Sequence, residues 1–367
     1  MAVLALAQQL GVTRLARLTG LDRSGIEVAA AVRPLGFVLQ VCNGKGRTFA
    51  AAARAALGEA AELWAAERVA PEELSYGTPG GLRRRHGAAA IWDGDLGSAG
   101  ARHLPAELWH DDVFAAFRPG EELLSGQRVW IPAAAVHCPP PGAAPLGPLG
   151  WRWTSNGMGA HPRRGAALLH ALLEAIERDQ LARALPQGWT EPSLRWRGLR
   201  STSVPPVLQG LQRRLDRRGL SLSLYDLTPP RGLGVPVAGA LLLDREAGPV
   251  PLAAGYACRL SASAALEAAA LEAAQSRLTD IHGAREDVEP MAVGVVEELS
   301  ALLRENRPVR EFAAMPTPPP RAGFDWLIGQ LRRRGVRRLA AVDLAPPGFE
   351  LSILKVVAPS FRVSELL

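Results

Sequence analysis

Lysine is almost missing from this 367-residue chain: Lys45 and Lys355 are the only two, although Lys and Arg together number 42. The net charge of +6 is therefore carried by arginine, a bias that looks like coding preference as much as function. Arg83-Arg84-Arg85 and Arg332-Arg333-Arg334 read as solvated faces in preference to sites for phosphate or an acidic peptide, and no aromatic residues interleave with them, which argues against nucleic acid as a partner. Cysteine is scarce as well. Cys42, Cys138 and Cys258 are odd in number and lack framework spacing, which excludes a disulfide scaffold, and no CxxC pair exists. The seven histidines show no zinc spacing, and His137-Cys138 reads as loop packing. No apolar run reaches the roughly 18–20 residues needed to span a bilayer. The stretch from Met1 to Leu10 has no basic region before it and no cleavage site after it, so it reads as a short helix rather than a signal peptide. The chain is expected to be cytoplasmic, without a membrane partner. A phosphate-binding GxxxxGK[ST] loop, a GxGxxG turn and a serine-nucleophile elbow are all lacking.

What is present is a unit written three times: a short apolar strand, a Gly-containing turn, then an Ala-rich helix with Glu or Gln three apart. The first runs from Leu39 through Asn43-Gly44-Lys45-Gly46 into a helix with Glu59 and Glu62. The second runs from Trp151 through Thr154-Ser155-Asn156-Gly157 into a helix with Glu174 and Glu177. The third runs from Pro251 through Gly255-Tyr256 into a helix with Glu267, Glu272 and Gln275, for which Ser261 and Ser263 serve as caps. Positions i and i+3 share one helix face, so each pair points two acceptors the same way. If the units pack around one point, at least five carboxylates meet there. Two unit charges 4 Å apart repel by about 4 kcal/mol at an effective dielectric near 20, so such a cluster calls for cations, and hard divalent ions with oxygen ligands fit best. Lys45, a lysine between two glycines against an arginine background, can present an ammonium and backbone N–H groups to an anion.

Around these units, residues 25–34 read as a strand closed by Pro34 and residues 71–150 as a loop-rich connector. A helix is expected over 208–218, with strands at 220–227 and 235–243. A last helix near 322–334 leads into strands at 339–344 and 351–357. Because the units span the whole chain, one intertwined α+β domain over residues 1–367 is expected.

Several of these residues resemble the YcaO family. They are Thr13 to Asp22 leading to Ala31-Val32-Arg33-Pro34, Asn43 to Gly46 with Ala56 to Glu62, and Thr154 to Gly157 with Leu173 to Asp179. Glu272 to Arg277, Val342-Asp343-Leu344 and Val356 to Pro359 continue the match in the family's order, over about residues 12–362. The resemblance implies a YcaO-type α+β fold that binds ATP with Mg²⁺ through helices bearing paired Glu. It implies activation of a peptide backbone amide, in which a nucleophile adds to the carbonyl, the oxygen is phosphorylated and phosphate leaves. Glu59, Glu62, Glu174, Glu177 and Glu272 would then hold Mg²⁺ and the phosphates, and Gln275, Arg277 and Lys45 would contact the nucleotide; no catalytic residue is assigned. The family's Ser, Arg, Asn, Glu and Arg fall here on Ala55, Leu63, Pro162, Ala166 and Ala268.

Azoline-forming members end in a Pro-rich tail, whereas this chain ends Arg362-Val-Ser-Glu-Leu-Leu367. The segment from Gln275 to Asp287 resembles members encoded with a TfuA partner, which make thioamides. The expectation is therefore an ATP-dependent peptide thioamide synthetase acting in ribosomal-peptide modification. Its partners would be the peptide substrate, a TfuA-like protein and a separate leader-peptide-binding protein, and a homodimer is compatible with the resemblance. An azoline- or amidine-forming enzyme, and a degenerate scaffold within a modification complex, are the alternatives.

Overall fold

Alternating apolar text near the start and the middle of the chain builds two similar antiparallel sheets. The computed structural model describes residues 3–363 apart from 95, 97–99, 103–108, 149, 247, 286–292 and 306. In chain order the elements begin α1 (Val3–Gln9), β1 (Arg14–Arg17), β2 (Glu27–Val32), β3 (Val41–Gly46), α2 (Phe49–Glu67), β4 (Ser75–Gly77) and α3 (Pro79–His86). There follow β5 (Gly100–Arg102), β6 (Ala115–Glu122), β7 (Arg128–Pro132), β8 (Trp151–Trp153), β9 (Met158–His161), α4 (Arg164–Ala184), α5 (Glu191–Arg197) and α6 (Pro206–Asp216). The chain then forms β10 (Leu220–Asp226), β11 (Val237–Asp244), β12 (Leu252–Cys258), α7 (Ala262–His282), α8 (Val293–Glu305), α9 (Phe324–Arg333), β13 (Ala340–Asp343) and β14 (Ser352–Val357). One sheet runs β1-β2-β3, a second β10-β11-β12, and a larger one β4-β6-β13-β14-β9 with β7 beside β6. The strands β3, β9 and β12 thus lie at sheet edges, and each leads directly into a long Ala-rich helix.

Those helices pack unusually close to their strands. A Cβ on Gly44 would collide with the α2 backbone at Ala52 and Ala56, and one on Gly159 with α4 at Ala167 and Ala171. At Gly255 it would strike α7 at Ala269 and Ala273. Glycine on the strand and alanine on the helix let two backbones touch. This corrects the reading of the glycines as turn residues. Asn43 to Gly46 lie within β3, and Gly255 within β12. The actual turns are 47–48 and 259–261, where Thr48 caps α2 by accepting the Ala51 N–H and Ser261 stands at the N-cap of α7 without a side-chain hydrogen bond. In the middle unit, Trp151–Trp153 pairs with β5 instead, and β9 is the strand that feeds α4, after a turn with Gly157 at φ 76°.

Residues 71–150 are also more ordered than a connector. They supply β4, α3, β6 and β7, part of the largest sheet. Pro119, Gly120 and the charges of Arg118, Glu121 and Glu122 hide the alternation of β6. The proline is tolerated because β6 pairs with β13 only at Glu121 and Glu122. The remaining expected elements fall within a few residues of α6, α9, β2, β10, β11, β13 and β14. Among the described residues no helix is long and apolar enough to cross a membrane.

Candidate functional site

The edge strands meet the glutamates of the adjoining helices. Glu59 of α2 accepts the Asn43 N–H of β3 at 2.7 Å, and Glu62 accepts the N–H of Ala160 in β9. Glu177 of α4 accepts the Cys258 N–H at 2.8 Å, and Glu272 of α7 accepts the Tyr256 N–H at 3.3 Å, both from β12. An edge strand has spare outward N–H groups, and here carboxylates take them. That aims the remaining oxygens of three helices into one space. Cations enter it too: Lys45 of β3 pairs with Glu272 at 2.6 Å. Arg178 lies 3.6 Å from Glu174 and 3.8 Å from Glu177, and Arg285 lies 3.5 Å from Glu59.

The balance of charge remains negative, and the carboxyl groups register it. Desolvation, then Glu174 and Glu59, push Glu62 well above the ordinary glutamate value. Desolvation likewise pushes Glu174 up to about 7 against the pull of Arg178, with Glu177 and Glu272 adding repulsion. Glu177 is raised by desolvation and by Glu272, again against Arg178. Glu272 is the exception. Desolvation favours its neutral form, but Lys45 and Arg178 outweigh it and hold the carboxyl below its ordinary value. Glu174, Glu272 and Lys45 nevertheless keep 22–23% of their side-chain surface open to solvent. Groups that are both desolvated and accessible line a cleft.

The sequence reading placed five glutamates together, and the structure brings all five to this cleft. Gln275 lies three residues beyond Glu272, on the same helix face. Arg277 does not join them. Its guanidinium is 1% exposed and fully engaged by Asp22 at 3.0 Å, Asp244 at 2.9 Å and the Val250 carbonyl, so its assignment to the nucleotide is corrected to a structural one. Residues not anticipated include Arg178, Asn43 and Lys355. Asn43 is 4% exposed, donates to Thr279 at 2.8 Å, and leaves its Oδ1 buried without a partner among the described residues. Lys355 is fully buried on β14, donates to the Thr154 carbonyl, and lies 4.8 Å over the Trp153 ring. Desolvation lowers it to about 7, against the attraction of Glu174. Its rarity in an arginine-rich chain was the one signal available.

A family profile described as YcaO cyclodehydratase, ATP- and Mg²⁺-binding, matches residues 43–362. The chain belongs to the YcaO family. Its cofactors are accordingly ATP and Mg²⁺. An uncharacterized protein in the tfuA 3' region of Rhizobium leguminosarum bv. trifolii is 30% identical over 96% of this chain and 84% of its own length. A Methanothermobacter thermautotrophicus protein is 29% identical over 96% and 90%. YcaO from Methanopyrus kandleri, solved with AMPPCP and Mg²⁺, superposes with a TM-score of 0.71 at 22% identity over 98% of this chain and 91% of that one. A heterocyclase in complex with substrate and cofactor gives 0.75 at 19% identity over 98% of this chain, which spans about half (52%) of that protein. These superpositions show a shared fold.

The residues of this YcaO chain fit the cation. Three carboxyl groups are raised by burial and mutual repulsion, which a divalent ion relieves. Among the described residues no three His, Cys, Asp or Glu side chains are close enough to hold a metal unaided.

Proposed function

We propose that this protein activates a backbone amide of a peptide with ATP for thioamide formation, together with a TfuA-like partner. The meeting of Glu59, Glu62, Glu174, Glu177 and Glu272 beside Lys45 carries the ATP-dependent part. The relative in the tfuA 3' region and the family resemblance of the segment beginning at Gln275 support the thioamide part; residues 286–287 of that segment and 364–367 of the terminus lie outside the described residues. When bound, ATP with Mg²⁺ supplies a phosphoryl group that turns the amide oxygen into a leaving group.

The chain's own groups position and neutralise. Glu174, Glu177 and Glu62 are the carboxylates that burial and mutual repulsion destabilise as anions, and one or two of them would hold the metal, with water and phosphate oxygens completing its shell. Glu59 and Glu272, tied to β3 and β12, fix the two flanking walls. Lys45, now on Glu272, is within reach of the same space and meets a phosphate oxygen. Arg178 compensates Glu174 and Glu177 from the side. The test is mass spectrometry of a peptide incubated with the protein, its TfuA-like partner, ATP, Mg²⁺ and sulfide. The expected gain equals the sulfur–oxygen difference, at a residue that need not be Cys, Ser or Thr. Loss of one water, confined to Cys, Ser or Thr and indifferent to sulfide, moves the assignment to azoline formation. Ala55, Pro162, Ala166 and Ala268 favour a second reading, a scaffold without turnover; an absence of ATP hydrolysis with every peptide supports it.

A further inference from the structure

Residues next to the two arginine runs, about 250 apart in sequence, meet around two tryptophans. Trp92 donates its N–H to the Trp130 carbonyl at 2.8 Å, joining the segment after α3 to β7. Two cations and an imidazole rest on these two indoles: Arg128 lies 5.0 Å over Trp130, Arg338 lies 5.6 Å over Trp92, and the His86 ring stacks on Trp130 at 4.0 Å. Arg332, from the end of α9, donates to the Leu124 carbonyl in the turn between β6 and β7. Arg85, Arg128, Arg332, Arg337 and Arg338 are exposed, and none of them forms a salt bridge among the described residues. An unbalanced basic face of this kind costs self-repulsion, which an acidic ligand relieves.

Arg128 also lines a cavity of about 310 Å³ with Arg118, Gly120, Glu121 and Asp343. It lies where β6 and β13 part beyond Ala341. Arg118 is 6% exposed. Its terminal nitrogens donate to the Glu73 and Asp343 carbonyls at 3.1 and 2.7 Å, its guanidinium also pairs with the Glu73 carboxylate at 2.9 Å, and its Nε is buried without a partner among the described residues. The carboxylates of Glu121 and Asp343 share the single Arg164 at 3.0 Å, so the cavity itself carries no excess positive charge, and Arg128 at its rim is the cation there that no salt bridge engages among the described residues.

We infer that this face docks an acidic segment of the peptide substrate, with its carboxylates along the exposed Arg128, Arg337 and Arg338. The indoles are covered at 2% and 8% exposure, so no aromatic platform is free for stacking bases, which disfavours nucleic acid. Position fits a substrate handle. Arg164 opens α4, and Glu174 lies ten residues further on, about 15 Å along the helix at 1.5 Å per residue. An extended peptide covers that in about five residues, so the handle lies at least that far from the amide to be modified.

The inference rests on the peptide-modifying reading, yet its test does not need turnover. Fluorescence anisotropy is measured with a labelled glutamate-rich peptide, its glutamine-rich counterpart and an oligonucleotide of equal charge. The glutamate peptide is expected to bind, more weakly as salt rises, and the glutamine peptide not to bind. The Arg128→Gln/Arg338→Gln double variant, changed only at exposed positions, should weaken binding roughly tenfold at about 0.5–1 kcal/mol per charge and leave Mg²⁺–ATP binding unchanged. Equal binding of both peptides, wild-type affinity in the double variant, or tighter binding of the oligonucleotide with the same dependence on these arginines overturns the inference. Loss of Mg²⁺–ATP binding by the wild-type protein, with peptide binding intact, instead overturns the nucleotide reading alone.

Discussion

Two groups of buried charge in this molecule are built to opposite ends. Around Arg277, one guanidinium meets Asp22 and Asp244, with Arg23 adding a second cation to Asp244 and Ser24 donating its N–H to Asp22 at 3.1 Å. Desolvation would raise Asp22, but Ser24 and Arg277 overcome it and hold the carboxyl below its usual range. Every group there has a partner. In the cleft, five carboxylates face Lys45, Arg178 and Arg285, and three of them are pushed upward instead. A satisfied network locks β11, α7 and the segment before β2 together. An unsatisfied one stores affinity for a cation that the fold does not itself supply.

The contrast breaks most visibly in function at the cleft. Glu177→Gln should reduce ATP turnover at least about 100-fold, since even outer partners of metal ligands are worth 10–100-fold, while the urea midpoint barely moves. Arg277→Met should do the reverse. Leaving Asp22 buried without a cation, and Asp244 with Arg23 alone, is expected to cost about 3–5 kcal/mol, read as a lower urea midpoint, and a stable Arg277→Met protein that has lost nucleotide binding would mean that Arg277 belongs to the site after all. Gly44→Ala, which drives a methyl group into the α2 backbone, should cost about 1–3 kcal/mol or more by the same measurement. Lys45→Ala should weaken Mg²⁺–ATP binding by roughly tenfold, the scale of one charge-assisted hydrogen bond. Unchanged affinity would leave Lys45 as no more than the counter-ion of Glu272.

The smallest effect is a pH signature. The folded-state value of Glu174 lies above that of an unfolded glutamate, so its contribution to stability is lost as pH rises from the ordinary carboxylate value through about 7. Glu174→Gln removes that loss. In metal-free buffer its melting temperature relative to wild type should therefore rise between about pH 5 and about pH 8. A constant difference would show that Glu174 is not ionising in a repulsive cluster.

The glutamate pairs were legible because helical periodicity is local: an i, i+3 pair on an Ala-rich stretch needs only the chain around it. The same holds for β2, β10 and β11, whose alternation is clean. Arg277 was not legible, because its place directly after Gln275-Ser276 says nothing of Asp22 and Asp244, which arrive from elsewhere in the fold. Gly44 and Gly255 were legible as glycines but not as strand residues, since the reason for them is a helix backbone pressing from the side. Lys355 announced itself by rarity alone; its place behind Glu174 comes from the pairing of β14 with β9. The basic face required residues next to both arginine runs to be seen together.

The central claim is that the carboxylate cleft is a nucleotide site that needs its metal. Calorimetric titration of ATP into the purified protein, with Mg²⁺ and with chelator, tests it most directly when repeated on Glu174→Gln. The expected result is binding by the wild type only when Mg²⁺ is present, and loss of that binding in a variant that melts at the wild-type temperature or above. Equal ATP binding with and without Mg²⁺, or Mg²⁺-dependent binding that survives Glu174→Gln unchanged, would contradict it.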